Sequence, residues 1–553
     1  EEAMLKIAVL RDSAPWDQGQ TDCIQALVSS PYTCVACVFE VREAAVSTSL
    51  QWFRRAARRM DKSVRAASGM ERLPAASLVS EEELAAALSP FAPDAILDLR
   101  SADEARALAE LARFGLWRLR YGYGKAAGGA AEFVFRLLLG SDPAGCVSLV
   151  RIGRTAERDL ILKRGYISSY GSGFGEKLAE LYRFCRSWPA SVCKELSITG
   201  KLPGAEADSL TETGYGRGGP APTVLQALRL AALLGYRKVA RQLSAWFIVE
   251  QWNVGLIRRP IDAVLRDRDE PVVEWMPERS GFVADPFAVK LDEGIGIVAE
   301  EWDHVERKGK ISFLKLDHDL RIDDAVRWQQ AVLELPLHLS YPCIVHAEGQ
   351  LYCIPECYQA GEAAIYRSEN FPSEWKKMKV LIPNFQAVDP TVFRHDGLWW
   401  LFCTDQEEGP HSHLHIWYSD ELLGEWKPHP ANPVKMDVRS SRPAGTPFAV
   451  GGELFRPAQD CSGTYGGAVW INRIERLTTT EFREAPVRRL SPDRSGPYPD
   501  GLHTLSFAGE VTLVDAKRER LGLGVFARRA SVKLVRKIRR TYRKGAGAIG
   551  SIP

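Results

Sequence analysis

Short unbroken apolar runs open the chain and alternate with segments whose apolar residues fall three and four positions apart. Leu5-Lys-Ile-Ala-Val-Leu10 and Tyr32 to Val41 predict buried strands, Glu81 to Leu88 a helix, and Pro93-Asp-Ala-Ile-Leu-Asp-Leu99 a further strand. This alternation predicts a parallel α/β sheet, with any ligand beyond the carboxyl ends of its strands. Phe174 to Trp188 and Val224 to Phe247 carry helical spacing, separated by a region that includes the Gly/Pro-rich loop Gly214 to Pro222, and predict a helical bridge. From Trp252 the texture changes to short β runs with aromatic residues and Gly/Asp/Pro turns. The expected organisation is an α/β domain over 1–170, a helical linker over 171–250, an all-β domain over 251–520 and a tail over 521–553.

The β runs repeat. Ala284-Asp-Pro-Phe-Ala-Val is followed by Gly296-Ile-Val-Ala-Glu-Glu-Trp302, and Val388-Asp-Pro-Thr-Val-Phe by a run ending at Asp405. Between them Tyr341-Pro-Cys-Ile-Val-His precedes a run ending at Glu356. A residue opens one strand and a carboxylate closes the next 15 or 16 positions later: Asp285 and Glu300, Tyr341 and Glu356, Asp389 and Asp405. Less regular units begin at Arg442 and His503, and the five starts lie 48 to 61 residues apart. That period suits four-stranded blades, so five units predict a five-bladed β-propeller. Its strand starts would bring Asp285, Asp389, Arg442 and His503 to one opening, with Glu356 beside them. For Glu300 and Asp405 the expectation is a structural carboxylate satisfying strand-end N–H groups.

Composition sharpens this division. All ten histidines lie between His304 and His503, which directs a search for acid–base chemistry to the second half. A net charge of +2 gives no general case for nucleic acid, and no recognition module supports a specific one. Eleven cysteines, an odd number without a dense framework, argue against a fully paired secreted scaffold. Cys34-Val-Ala-Cys37 has no second pair nearby and is expected to be structural or incidental. No secretory leader or uninterrupted apolar span is evident, which makes a cytoplasmic location the expectation. His411-x-His413-x-His415 lies on one side of a short strand, either solvated or metal-binding. No cofactor or metal is assigned.

Two resemblances add expectations. The opening strand, the Pro93 turn, Phe114-Gly-Leu-Trp-Arg-Leu-Arg-Tyr-Gly-Tyr123 and Ala131-Glu-Phe resemble the amino-terminal domain of the formyltransferase family over residues 4–165. The family's catalytic His falls where this chain has Arg118-Leu119-Arg120-Tyr121, so the resemblance implies a formyltransferase-like scaffold without formyl transfer. Residues 250–520 resemble the propeller of glucosamine inositolphosphorylceramide transferase proteins, and distantly the five-bladed furanosidase-type glycosidases. The matching text includes Trp252-Asn-Val-Gly255, Val283-Ala-Asp-Pro-Phe287, Ser441-Arg-Pro-Ala-Gly445, Leu454-Phe-Arg-Pro-Ala-Gln-Asp-Cys-Ser462, Tyr465-Gly and His503-Thr.

That second resemblance implies Asp285 as base or nucleophile, Glu356 or Asp389 as proton donor or modulator, and His503 as a further catalytic group. Arg442, Arg456, Gln459, Asp460 and Tyr341 would bind substrate or phosphate. The expected activity is transfer of a sugar from a phosphate-activated donor, such as a sugar nucleotide, to a glycan or lipid-linked acceptor. Glycoside hydrolysis and non-catalytic glycan binding are the alternatives. From Lys517 to Lys544 twelve Lys or Arg residues face one acid, Glu519. The tail is therefore expected either to rest on an anionic membrane surface, placing the protein at the membrane's inner face, or to pack as a solvated helix. The sequence leaves the oligomeric state open.

Overall fold

The computed structural model describes residues 4–522 apart from 13–17, 42–72, 75–76, 81, 101–105, 123–128, 171–172, 207–221, 268, 270, 280, 305 and 323–326. The basic tail beyond residue 522, the loop before Pro222 and most of the Gly-rich segment after Tyr123 lie outside the described residues. Two compact units divide the chain. One comprises the residues up to Leu234 together with His411–His413 and Pro430–Ser441, and the other holds the rest.

The first unit is built on a mixed sheet rather than the all-parallel one expected. Ser77–Val79, Thr33–Val41, Leu5–Asp12, Ala95–Asp98 and Leu116–Tyr121 run parallel in that spatial order. Ala144–Ile152 and Leu160–Ser168 then add antiparallel pairs, and Lys435–Asp437 lies parallel to the latter. Leu160–Ser168 follows Ala144–Ile152 after a loop too short for a helical crossover, so antiparallel pairing is the geometry left to it. The helices Phe174–Cys185 and Trp188–Thr199, expected as a bridge, bury Phe174, Leu181, Trp188 and Val192 in the same core as Val9 and Leu97. Near the carboxyl end of the sheet, Arg118 opens the segment Arg118–Tyr121, which contains no His. Its guanidinium donates to Asp98 at 3.4 Å and to the Arg100 carbonyl at 3.1 Å, while Arg100 donates two bonds of 2.8 and 3.1 Å to Asp98. Cys34 is exposed and Cys37 buried, and both are free thiols.

The second unit is a ring of small antiparallel sheets in a propeller-like arrangement. Among the described residues four stand as separate four-stranded sheets, not five. They are Phe282–Lys290 to Gln329–Leu333, Ser340–Ala347 to Glu374–Pro383, Phe448–Val450 to Phe482–Leu490, and a closing sheet. The unit expected at Asp389 forms an antiparallel run from Ala387–His395 through Leu398–Asp405 to Gly409–Ser419, but its outer strand is only Lys427–Pro428. Pro428, Pro430 and Pro433 lack the N–H groups a full outer strand needs. The closing sheet joins early and late segments of the unit: Ile248–Ile257 pairs with Val511–Leu521 through ten consecutive partners, which ties its first described strand to its last.

Candidate active site

The repeated X-Pro dipeptides explain how strand starts become site residues. Pro286, Pro342 and Pro390 cannot donate to the ladder, and pairing slips there: between Ala284 and Phe287, Ser340 and Cys343, and Val388 and Thr391. The residue before each proline sits at positive φ, +51° at Asp285, +41° at Tyr341 and +50° at Asp389. For a non-glycine residue this costs on the order of 1–3 kcal/mol, and such bulges re-aim side chains beside functional sites. The same slip recurs between Leu502 and Leu505, around His503.

The freed backbone N–H groups are taken up by carboxylates from neighbouring strands. Asp285 donates its N–H to Asp515 Oδ2 at 2.8 Å, Tyr341 to Asp285 Oδ2 at 3.2 Å, and Asp389 to Glu356 Oε2 at 2.9 Å. His503 and Thr504 donate theirs to Asp515 Oδ1 at 3.1 and 2.9 Å. A chain of acidic groups therefore links the sheets through hydrogen bonds that fix each carboxylate's orientation.

Above this floor lies a cavity of about 310 Å³ lined by Asp285, Glu300, Glu356, Arg442, His503, His338 and the rings of Trp252, Trp302 and Tyr465, among others. Four of the expected site residues, Asp285, Glu356, Arg442 and His503, thus share one opening. Asp389, Gln459 and Tyr341 lie beneath it. Arg442 donates to Asp389 at 2.6 and 3.1 Å, and Gln459 donates to Asp389 at 2.7 Å. The Tyr341 hydroxyl is 2.8 Å from Thr391 Oγ1 and accepts the Gly445 N–H at 2.6 Å. Tyr341 is therefore a brace, and the Arg442 fork expected to hold phosphate is engaged by Asp389.

Arg456 and Asp460 serve elsewhere. Arg456 gives Glu484 two bonds of 2.8 and 2.6 Å inside a sealed ion pair, with 1 and 2% of the two side chains exposed. Asp460 accepts from Ser462 and from Arg489. Replacing both partners, Arg456→Met with Glu484→Leu, is expected to change stability by no more than about 1–2 kcal/mol, because the lost attraction is offset by relief of ion desolvation. Turnover should be unchanged; a loss of activity in a folded double variant would return Arg456 to the site.

His503 is the best-held group of the cavity. Its Nδ1 lies 2.7 Å from Asp515 Oδ2, its Nε2 3.7 Å from Asp285 Oδ1, and its ring stacks on Trp252 at 3.9 Å and 17°. Tyr465 meets it edge-on at 5.4 Å. Gly466, at φ +59°, permits this stack: a Cβ there would sit 2.8 Å from His503 Cβ and 2.9 Å from Trp252. Thr504 donates its hydroxyl to Asp285 Oδ1 at 2.8 Å.

Protonation follows from this crowding. Burial would lower His503, but Asp515 and Asp285 outweigh it and hold the imidazole above its ordinary value. Burial pushes Asp285 up to about 6, against the pull of His503. Glu300 rises well above the carboxylate range, first through burial and then through the charges of Asp285 and Glu356. Burial also raises Asp389, to about 8, against the pull of Arg442 and with Glu356 adding to the rise. Glu300 and Asp285 thus line one cavity with both carboxyl groups raised, Glu300 well above its ordinary value.

Sequence reasoning assigned Glu300 a strand-end role and passed over Asp515, Trp252 and Tyr465. The closing-carboxylate pattern contained Glu300 and, at a shorter spacing from His503, Asp515. Among the described residues Asp285, His503 and Asp515 bring ligand-type atoms within 4.8 Å of one another, the geometry a cation would need. His411, His413 and His415 form no such group there. His413 abuts Phe184, while His415 lies buried against Phe385 and Trp417, its pKa lowered to about 4 by burial.

Residues 272–495 match a family profile described as glucosamine inositolphosphorylceramide transferase 1, N-terminal. The protein of that name from Oryza sativa subsp. japonica is 37% identical over 215 residues, 38% of this chain and 28% of the relative. The Arabidopsis thaliana protein is 34% identical over 215 residues, 38% of this chain and 27% of its own length. The chain therefore spans less than a third of the length of these curated relatives. Among solved structures, the catalytic domain of Coprinopsis cinerea GH62 alpha-L-arabinofuranosidase is similar at 12% identity and a TM-score of 0.32, covering 44% of this chain and 94% of that one.

Proposed function

We propose that the second unit is the catalytic unit of a carbohydrate-active enzyme that transfers a sugar to a hydroxyl of a glycan or lipid-linked acceptor. The observation that carries this reading is the pair of buried carboxyl groups, Asp285 and Glu300, that line one cavity, with burial pushing Asp285 up to about 6 and Glu300 well above the ordinary carboxylate value. Asp285, ionised above about pH 6, takes the proton of the acceptor hydroxyl as it attacks the anomeric carbon. Glu300, protonated, gives its proton to the departing oxygen. Asp515 orients His503, whose positive charge keeps Asp285 ionised, and the Trp252 and Tyr465 rings offer apolar faces to a sugar. The names of the matched relatives support transfer to a lipid-linked acceptor.

Glycoside hydrolysis is the second reading, with water in the acceptor's place. It is favoured by Arg442, whose engagement with Asp389 leaves a phosphate leaving group without the expected fork, whereas Glu300 suits a leaving oxygen that needs a proton. The similarity of residues 4–165 to formyltransferases is carried as scaffold only, since Arg118 is fixed on Asp98. A cytoplasmic location fits eleven free cysteines.

The test is product analysis by mass spectrometry with panels of nucleotide sugars and of glycosides, with and without lipid and glycan extracts. An added sugar on an acceptor establishes transfer; shortened glycans alone establish hydrolysis. In either case kcat/KM should fall about tenfold per pH unit below about pH 6, as Asp285 becomes protonated. A profile flat from there into the carboxylate range would remove Asp285 as the base.

A further inference from the structure

The helix Val224–Phe247 contains Arg229, Arg237, Lys238 and Arg241 and no acidic residue among its 24 residues. Leu230 is its buried side chain, whereas Leu225, Leu228, Tyr236, Val239, Leu243 and Trp246 are between 53 and 77% exposed. At 3.6 residues per turn those six fall within an arc of roughly 80°, so they form one stripe. Arg229 and Lys238 lie on opposite sides of the stripe, about 60° and about 120° from its centre, and Arg237 and Arg241 lie about 140° and about 180° from it. An apolar stripe of this length in water is costly and marks a surface that meets something.

Charge decides between the occupants. Residues 523–553 carry Lys and Arg and no acid, and a second copy would bring the same four cations; both would set positive charge against positive charge. Four cations also bar the helix from spanning a bilayer, and no described helix is long and apolar enough to cross one. A surface of anionic lipid meets both demands: acyl chains accept the stripe, headgroups accept Arg229 and Lys238 on its two sides, and Tyr236 and Trp246 belong at the boundary between them.

We propose that Val224–Phe247 lies in the headgroup layer of an anionic membrane and docks the protein there. This inference does not depend on the chemistry proposed for the cavity. The full chain is mixed with vesicles of phosphatidylcholine alone or with phosphatidylglycerol added, and binding is measured by flotation, with sizing by light scattering in parallel. Binding should be at least about tenfold stronger to the anionic vesicles and should weaken with salt. Val239→Glu with Leu243→Glu, both on exposed positions, should reduce it at least about tenfold with helix content and turnover of a soluble substrate retained. Equal binding by this variant and the unaltered chain would overturn the proposal in favour of another basic segment. So would a dimer that the same substitutions dissociate without any vesicle binding.

Discussion

Asp285→Asn is expected to lower kcat by about 10²- to 10⁴-fold, the range a positioned general base contributes. Asn is nearly isosteric, and its oxygen can still accept the Tyr341 N–H that Asp285 Oδ2 accepts at 3.2 Å. On the other side the Thr504 hydroxyl, a donor to Asp285 Oδ1 at 2.8 Å, can turn to accept from the new amide. The floor of the cavity therefore keeps its hydrogen bonds, and substrate affinity should change little. The remaining activity should also lose the acid limb near pH 6, since the titrating group is gone. Unchanged turnover with binding retained would transfer the base role to another carboxylate, and loss of binding together with turnover would show that Asp285 positions the sugar. Binding without turnover in both the unaltered chain and the variant would favour a glycan-binding scaffold.

At pH 9, where Asp389 is ionised, Arg442→Met is expected to destabilise the protein by about 3–5 kcal/mol, the usual cost of leaving one member of a buried ion pair unpaired. Arg442 is 9% exposed in its side chain, and it faces Asp389 at 2.6 Å and Glu356 at 3.8 Å. Methionine fills similar volume and offers no charge, so both carboxylates would be left to each other. The sign of the pH dependence follows from Asp389, whose folded-state pKa is raised. Such a group adds stability while protonated and loses it as pH rises through the folded value, about 8 here with Arg442 present. Removing the cation raises that value further, so the variant's deficit should be smaller at pH 5 than at pH 9. Thermal or denaturant unfolding at the two pH values checks this. A deficit that is equal at both, or under about 1 kcal/mol, would show that Asp389 does not depend on Arg442 for its charge.

The same residues show where local pattern sufficed. Asp285, Tyr341 and Asp389 were legible as repeated strand starts, each followed by a closing carboxylate 15 or 16 positions later, and the structure adds that the proline after each forces the bulge that turns its side chain. The strand-rich texture after Trp252 likewise follows from short apolar runs between turn residues. The count of blades did not: the run at Asp389 keeps only Lys427–Pro428 as an outer strand, and a repeat period does not reveal how much of a unit's edge is filled.

Roles that depend on a distant partner were decided only by the tertiary structure. Arg442 and Arg456 lie 14 positions apart in similar Arg-Pro contexts. One faces Asp389 beside the cavity and the other is locked to Glu484 within its own sheet. Glu300 looks like any strand-ending carboxylate, and its raised pKa comes from burial and from the charges of Asp285 and Glu356 that converge on it. The Trp252 stack on His503 exists because the first and last strands of the unit pair across more than 250 positions. Sequence alone determined the division into helix-bearing and strand-rich stretches, and which residue types stand at the repeated strand starts, because these depend on neighbours along the chain. Protonation, pairing and access depend on neighbours in space, and those were set by the closing of the ring.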